Sequence, residues 1–462
     1  MSVRLTLVAI CGMIFACEAG TAVAADPTPV WSFTGSTDGN QPRGDLIVSE
    51  AGVIYGTASS GGINQNGTVF AVSPHTNGTV EQTIYSFTGG HDGSFPSAGL
   101  VEDSKGALYG TAARNGRKNA GTVFRLKPPA AGQTAWTEAT LWGFTGGTDG
   151  AQPTGSLIFD RSGSGVIYGT TNAGGANNHG VVFSLTPPAA HDGKWTEQTL
   201  WSFTAGSDGA KPAAALVQDE AGNLYGTASS GGSTGAGVVF ELSPNTGSAN
   251  QWAFSTIWSF SGTSDGATPM GTLVMDSAGA LYGTTEFGGG GDCAQPRFPY
   301  YPMPESTSEP AYKAAYIPLG GNACGVVFKL TPPSQAGKAW LNSIIWSFQA
   351  GLDGGNPVSD LLLDPDGTLH GTTPEYGDAG PDGLDQYSDK GNVFMLTPPA
   401  QTGGAYTETT TLSILYETRG TYSRAGLVRG VNDGLYYTTM TFGGAFWKHV
   451  VDYGYGAVVS VH

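Results

Sequence analysis

The chain has 462 residues, 73 of them Gly and 27 Pro. Together these make up about 22 %, but no every-third-residue glycine marks a collagen. A content of 39 % hydrophobic and 11 % aromatic residues supplies a core and excludes a disordered chain. Lys and Arg number 20 against 37 Asp and Glu, and the net charge of −17 repels phosphate backbones and sets nucleic acid aside as a partner.

Arg4 precedes an apolar run from Leu5 to Phe15, and small residues lead to Ala22-Val23-Ala24-Ala25 before Asp26. This is the pattern of a cleaved secretory signal, so residues 1–25 are read as signal peptide and 26–462 as one exported domain, periplasmic or extracellular. The run falls short of the roughly 20 apolar residues of a spanning helix, so no transmembrane segment is expected. A lipoprotein signal at Cys17 fits poorly with Phe15 two residues before it. Cys11 and Cys17 leave with the signal, and Cys293 with Cys324 is then read as one disulfide in an oxidising compartment.

The mature chain opens on a β-prone run, Val30-Trp31-Ser32-Phe33. Leu/Ile-Tyr-Gly-Thr follows at Tyr55, Tyr109, Tyr168, Tyr225 and Tyr282, with variants at His370-Gly371 and Tyr436-Tyr437, which makes seven units at intervals of 54 to 88 residues. The fourth unit shows four strands: Ala215–Gln218, Asn223–Thr227, Gly237–Leu242 and Ser255–Phe260. Four strands make one propeller blade.

Turn residues punctuate each unit. Gly stands seven residues after each Tyr or His370 and again at the start of each third strand, where a positive φ or a close backbone approach would require it. Asp-Gly-x-x-Pro recurs six times before the first strand, from Asp38 with Pro42 to Asp353 with Pro357. These Asp are read as turn residues rather than as an acidic ligand ring. The chain closes on Ala457–Val461, a third strand, whereas it opens on a fourth. The fold class expected is therefore all-β: a seven-bladed β-propeller with four antiparallel strands per blade, its ring closed by the N-terminal strand joining the last blade. An open β-solenoid is the runner-up.

The iterated pattern Trp-Ser-Phe-Thr, Asp-Gly-x-x-Pro, Leu-Tyr-Gly-Thr-Thr, Gly-Gly, Gly-Val-Val-Phe-x-Leu-Thr-Pro-Pro resembles the GloVer tandem repeat of secreted bacterial proteins of the choice-of-anchor type, from about Trp31 to Val461. The resemblance implies a propeller-like repeat and an extracytoplasmic destination, but no particular activity. Members often carry a C-terminal anchor; this chain ends inside its last repeat, so anchoring is not carried over.

From Tyr or His370 to the Gly opening the third strand is 12 residues in units one to four, then 43, 21 and 20 in units five to seven. Long loops on one face of a compact scaffold point to function. The unit-five insertion, about 290–323, is closed at its base by Cys293 and Cys324. Rings and carboxylates populate these loops: Tyr300, Tyr301, Tyr376, Asp378, Asp382, Asp385, Trp447, His449 and Tyr453 are the candidate ligand-binding residues. Such side chains suit a sugar or an exposed peptide, or else pack the insertions onto the propeller.

Calcium at Asp378, Asp382, Asp385 and Asp389 is a weaker reading than a solvated acidic loop, because the spacing is not that of an EF-hand. No cofactor and no metal are expected. The strings Gly231-Gly232-Ser233-Thr234-Gly235 and Gly262-Thr263-Ser264-Asp265-Gly266 match a nucleophile elbow but lack the following helix, and no catalytic residue is assigned. His370 is read as a core replacement for a repeat Tyr. The expectation is a monomeric binding protein for carbohydrate or a cell-surface protein, acting through blades five to seven. The alternatives are an extracytoplasmic hydrolase or lyase on polysaccharide, using acidic residues of the same face, and a structural or adhesive repeat protein.

Overall fold

The computed structural model describes residues 28–73, 79–190, 193–245, 251–290, 324–335, 337–349, 353–374, 391–401, 404–413, 423, 425–431, 433–440 and 455–461. These form seven antiparallel sheets and no helix, one sheet per sequence unit, in a seven-bladed β-propeller. In the fourth blade the strands are Val217–Gln218, Leu224–Ala228, Val238–Pro244 and Trp252–Ser259, paired in that order.

The first strand is shorter than the sequence suggests. Ala215 does not join the ladder because its N–H donates to Thr272 Oγ1 of the next blade, 3.1 Å away. Phe260, expected inside the fourth strand, instead leaves the sheet to pack edge-on against Phe328 of the fifth blade at 5.2 Å between ring centroids.

That contact recurs and holds the blades together. The Phe ending each Trp-Ser-Phe run, or its variants Tyr85-Ser86-Phe87 and Trp142-Gly143-Phe144, meets the third-strand Phe of the following blade at Phe33–Phe70, Phe87–Phe124, Phe144–Phe183, Phe203–Phe240 and Phe348–Phe394, with centroids 4.9–5.3 Å apart. The ring of the third-strand Phe lies over the Gly of Tyr-Gly-Thr: a Cβ on Gly226 would stand 2.6 Å from Phe240 Cζ. That close approach, with φ in the ordinary region, is what requires glycine there.

A second seam device explains the two other glycine and proline signals together. Gly237, at φ +98°, opens the third strand, and a Cβ on it would stand 2.6 Å from Pro269 Cδ, the proline of the next blade's Asp-Gly-x-x-Pro. Gly67 with Pro96, Gly121 with Pro153, Gly180 with Pro212, Gly325 with Pro357 and Gly456 with Pro42 repeat the contact. Blade seven has Ser423 where the others have this proline.

The ring closes through a sheet that joins its first and last strands. Thr28–Ser32 pairs antiparallel with Ala457–Val461, matching Trp31 to Val458 and Ser32 to Ala457, and the sheet continues through Leu435–Thr439 to Val428–Arg429. No described helix is long and apolar enough to cross a membrane.

Candidate functional site at the channel mouth

One residue per blade, the one before the repeated Leu that precedes the first strand, faces the centre of the ring: Asp45, Gly99, Ser156, Ala215, Thr272 and Asp360 line a common cavity, and Gly426 lies against Asp45 and Asp360. Polar members accept the N–H of the preceding blade. Gly99 donates to Ser156 Oγ at 2.8 Å, Thr272 to Asp360 Oδ1 at 2.5 Å and Gly426 to Asp45 Oδ1 at 2.6 Å. Gly426, between the two acids in ring order, has no side chain to separate them; a Cβ there would stand 2.9 Å from Asp360 Cβ and 3.3 Å from Asp45 Oδ1. Burial, and then the Asp360 carboxylate, holds the Asp45 carboxyl well above the usual range, against the hydrogen bond from Gly426. A cavity of about 100 Å³ opens above the pair, with Arg43, Ser97, Thr154 and Met270 among its walls.

The mouth of the channel is built from residues in a conformation that side chains rarely adopt. The residue before each Asp-Gly-x-x-Pro proline has positive φ: Gln41, Phe95, Gln152, Lys211, Thr268 and Asn356, all between 54° and 58°. Each N–H is held by a carbonyl of the preceding blade, as in Phe95 to Asn66 at 3.0 Å and Asn356 to Cys324 at 2.7 Å. A left-handed conformation at a non-glycine residue costs about 1–2 kcal/mol, offset here by that hydrogen bond and the proline packing that follows. The sequence reading assigned positive φ to glycine alone and missed these six positions.

Phe95 is the one ring among them. Arg114 lies over it with Cζ 4.1 Å from the centroid, and Arg43 approaches at 5.4 Å while donating from Nη2 to Gln41 Oε1 at 2.9 Å. Two guanidinium groups thus flank an aromatic face at the channel mouth of a strongly acidic protein. The repeat alignment carried the signal: Arg43 and, after Ser423, Arg424 are the cations at the position following the proline, and Asp45 and Asp360 are the acids at the position before Leu.

Tyr300, Tyr301, Tyr376, Asp378, Asp382, Asp385, Trp447, His449, Tyr453, Cys293 and the calcium candidate Asp389 lie outside the described residues. The described ends of their loops abut this mouth. Cys324, fully buried, ends the unit-five insertion and accepts from Asn356 N; Tyr455 O, ending the unit-seven loop, accepts from Gln41 N at 2.9 Å. Among the described residues, no three His, Cys, Asp or Glu converge as metal ligands.

The Asp-Gly carboxylates are turn residues, as expected. Asp92 accepts from Thr88 N at 2.7 Å, Thr88 Oγ1 at 2.5 Å, Gly90 N at 3.2 Å and Tyr85 Oη at 3.0 Å. The elbow-like strings are turns too, and Ser233 Oγ meets the side chain of Ser259 at 3.0 Å. His370 is buried and its Nε2 lies 2.9 Å from Asp364 Oδ2, the place taken by Tyr109 Oη on Asp103 and Tyr282 Oη on Asp276.

The family model of the Gloeobacter/Verrucomicrobia repeat matches residues 6–194 and 165–294, more than half of the chain. The chain belongs to this repeat family. No curated protein matches this Gloeobacter/Verrucomicrobia repeat protein in sequence. Among solved structures it is similar to an ulvan lyase of a polysaccharide lyase family, at 11 % identity and a TM-score of 0.49 over 92 % of this chain and 94 % of that one. It is also similar to a protein of unknown function from Dyadobacter fermentans DSM 18053, at 12 % identity and a TM-score of 0.42 over 95 % of this chain and 97 % of that one. Both are likenesses of fold and assign no site residue.

Proposed function

We propose that this repeat protein is an exported recognition module that binds an anionic carbohydrate, without chemistry, on the face around the channel mouth. The observation that carries the reading is the Phe95 ring with the guanidinium groups of Arg114 and Arg43 over it, 4.1 Å and 5.4 Å from its centroid. The ring holds the two guanidinium planes in place by cation–π contact, and a planar guanidinium pairs in fork geometry with a carboxylate or sulfate while the ring edge packs on the sugar. The extended loops of blades five to seven leave the same face, and their Tyr, Trp and Asp residues extend the surface. A disulfide from Cys293 to Cys324 clamps the longest of them.

The close Asp45–Asp360 pair favours a second reading, acid–base cleavage of a polysaccharide. The first is preferred on two counts. Each carboxylate already accepts a backbone N–H that binds blade to blade, and a cavity of about 100 Å³ is small beside the roughly 300 Å³ at which ligand pockets begin.

The test is retention of residues 26–462 on a panel of neutral, carboxylated and sulfated polysaccharides, with product analysis, beside Phe95→Ala, Arg114→Gln and a variant trimmed between 291 and 323. Retention on anionic polymers, weakened at least tenfold by Phe95→Ala, with no new reducing ends or unsaturated products, is expected. Equal retention on neutral polymers, or unchanged binding by both point variants, would sink the reading; product formation abolished by Asp360→Asn would establish the enzyme.

A further inference from the structure

The fourth strands carry a repeated Glu-x-Thr that the binding face does not explain: Glu81 with Thr83, Glu138 with Thr140, Glu197 with Thr199 and Glu408 with Thr410. In the first three blades the threonine hydroxyl stands between two acceptors. Thr83 Oγ1 is 3.1 Å from Glu81 Oε1 and 3.2 Å from Thr37 O. Thr140 Oγ1 is 3.0 Å from Glu138 Oε1 and 3.5 Å from His91 O; Thr199 Oγ1 is 3.0 Å from Glu197 Oε1 and 3.1 Å from Thr148 O. A hydroxyl has one proton and serves one of these acceptors at a time. Both contacts are satisfied together only when the carboxyl is protonated and donates to Thr Oγ1, which leaves the hydroxyl proton for the carbonyl.

That carbonyl belongs to the residue before the turn Asp, so the bond ties the outer strand to the loop that reaches the ligand face. We propose that Glu81, Glu138 and Glu197 are proton-operated clasps: protonated, each lets its threonine hold the turn of its blade; ionised, each draws the threonine proton to itself and releases the turn.

The surroundings favour the protonated form. Asp38, Asp92 and Asp149 face the three glutamates from the turns, and Tyr85 faces Glu138 from the preceding blade. Each turn Asp acts as acceptor, from Thr34 N at 2.7 Å, Thr88 N at 2.7 Å and Thr145 N at 3.0 Å. On the paired third strands the charged residues are Arg125 and Lys127, opposite Ala139 and Thr137, and so on the other face of the sheet from Glu138. Burial, and to a lesser degree the neighbouring Asp, pushes the carboxyls of Glu81 and Glu197 up to about 7, and that of Glu138 upward, each against its threonine hydrogen bond.

The fourth blade is a built-in control. Phe254 replaces the glutamate, so the strand offers no carboxylate at that position, and Thr256 Oγ1 donates to Ser207 O at 2.9 Å.

The experiment is hydrogen exchange of the full chain at pH 6 and pH 8, corrected for intrinsic rates and resolved to the turns holding Gly93, Gly150 and Gly209. Exchange at Gly93 and Gly150 is expected to rise at least threefold at pH 8, with Gly209 unchanged. Glu138→Gln and Glu197→Gln, whose amide donates at every pH, are expected to abolish the rise each in its own turn only; if one variant fails to fold, the other serves, with the remaining turns as internal references. An equal rise at Gly209, or a rise surviving in the Gln variants, would overturn the proposal. It is independent of the ligand reading, since it needs no ligand.

Discussion

Tyr437 pairs directly across the last blade's ladder with Val459, where the preceding blade pairs Gly371 with Phe394. In the first six blades a third-strand Phe ring lies over a glycine; in the seventh a tyrosine on the second strand, fully buried, fills the space that the missing Phe leaves. The pair has exchanged large for small across the register. Tyr437→Gly is expected to cost about 3–5 kcal/mol, as for other buried aromatics, and Val459→Phe alone about 1–3 kcal/mol by overpacking. The double variant should recover most of both losses in a urea-unfolding cycle. Additive losses would refute the exchange.

Gly180 is among the tightest of the seam glycines. At φ +94° its Cβ would stand 2.3 Å from Thr171 O and 2.7 Å from Pro212 Cδ. Gly180→Ala should lower stability by about 3 kcal/mol or more, from positive-φ strain and the clash combined. Gly132→Ala, also at positive φ but with open space, should cost about 1 kcal/mol. Parallel thermal unfolding checks the order.

Stability should decline with rising pH. Glu81 and Glu197 have folded values raised from 4.5 to about 7, so the native state binds more protons than the unfolded one between those limits. Their stabilisation is full below pH 4.5 and is lost as pH rises through about 7. The melting temperature should fall by a few degrees from pH 5 to pH 8, and Glu81→Gln with Glu197→Gln should flatten the fall.

His370 does a tyrosine's work on Asp364, which Arg429 also engages at 2.5 Å from Nη2. His370→Tyr should keep stability within about 0.5 kcal/mol, whereas His370→Phe should cost about 1 kcal/mol by taking a donor from the half-buried Asp364 carboxylate. Equal values for the two variants would show that the contact contributes nothing.

Non-reducing peptide mapping should yield a Cys293–Cys324 cross-linked pair. Reduction should lower stability by about 3.5–4 kcal/mol, the value for a closed loop of this length. Free thiols at both positions would remove the clamp from the proposed binding surface.

The fold was legible because every blade repeats the same local physics: alternating strands, Asp-Gly turns, and a glycine wherever a neighbour's ring or proline comes close. The complementary strands at Val30 and Ala457 were legible for the same reason. The mouth cluster was not. Phe95, Arg43 and Arg114 come from two blades and meet only through the ring geometry, and the left-handed φ of Phe95 has no composition signal when the residue is not glycine. Asp45 and Asp360 lie far apart in sequence and converge because Gly426 leaves room.

The closing strand pair also sets an order of events in synthesis. Thr28–Ser32 is among the earliest strands made and Ala457–Val461 the last, while the contact from Gly426 to Asp45 spans 381 residues. At about 5–20 residues per second, the first strand waits about 20 to 90 s for its partner. Until then its edge is open to wrong pairing, and the chain is exposed to aggregation through that edge for the whole interval before Ala457–Val461 is made.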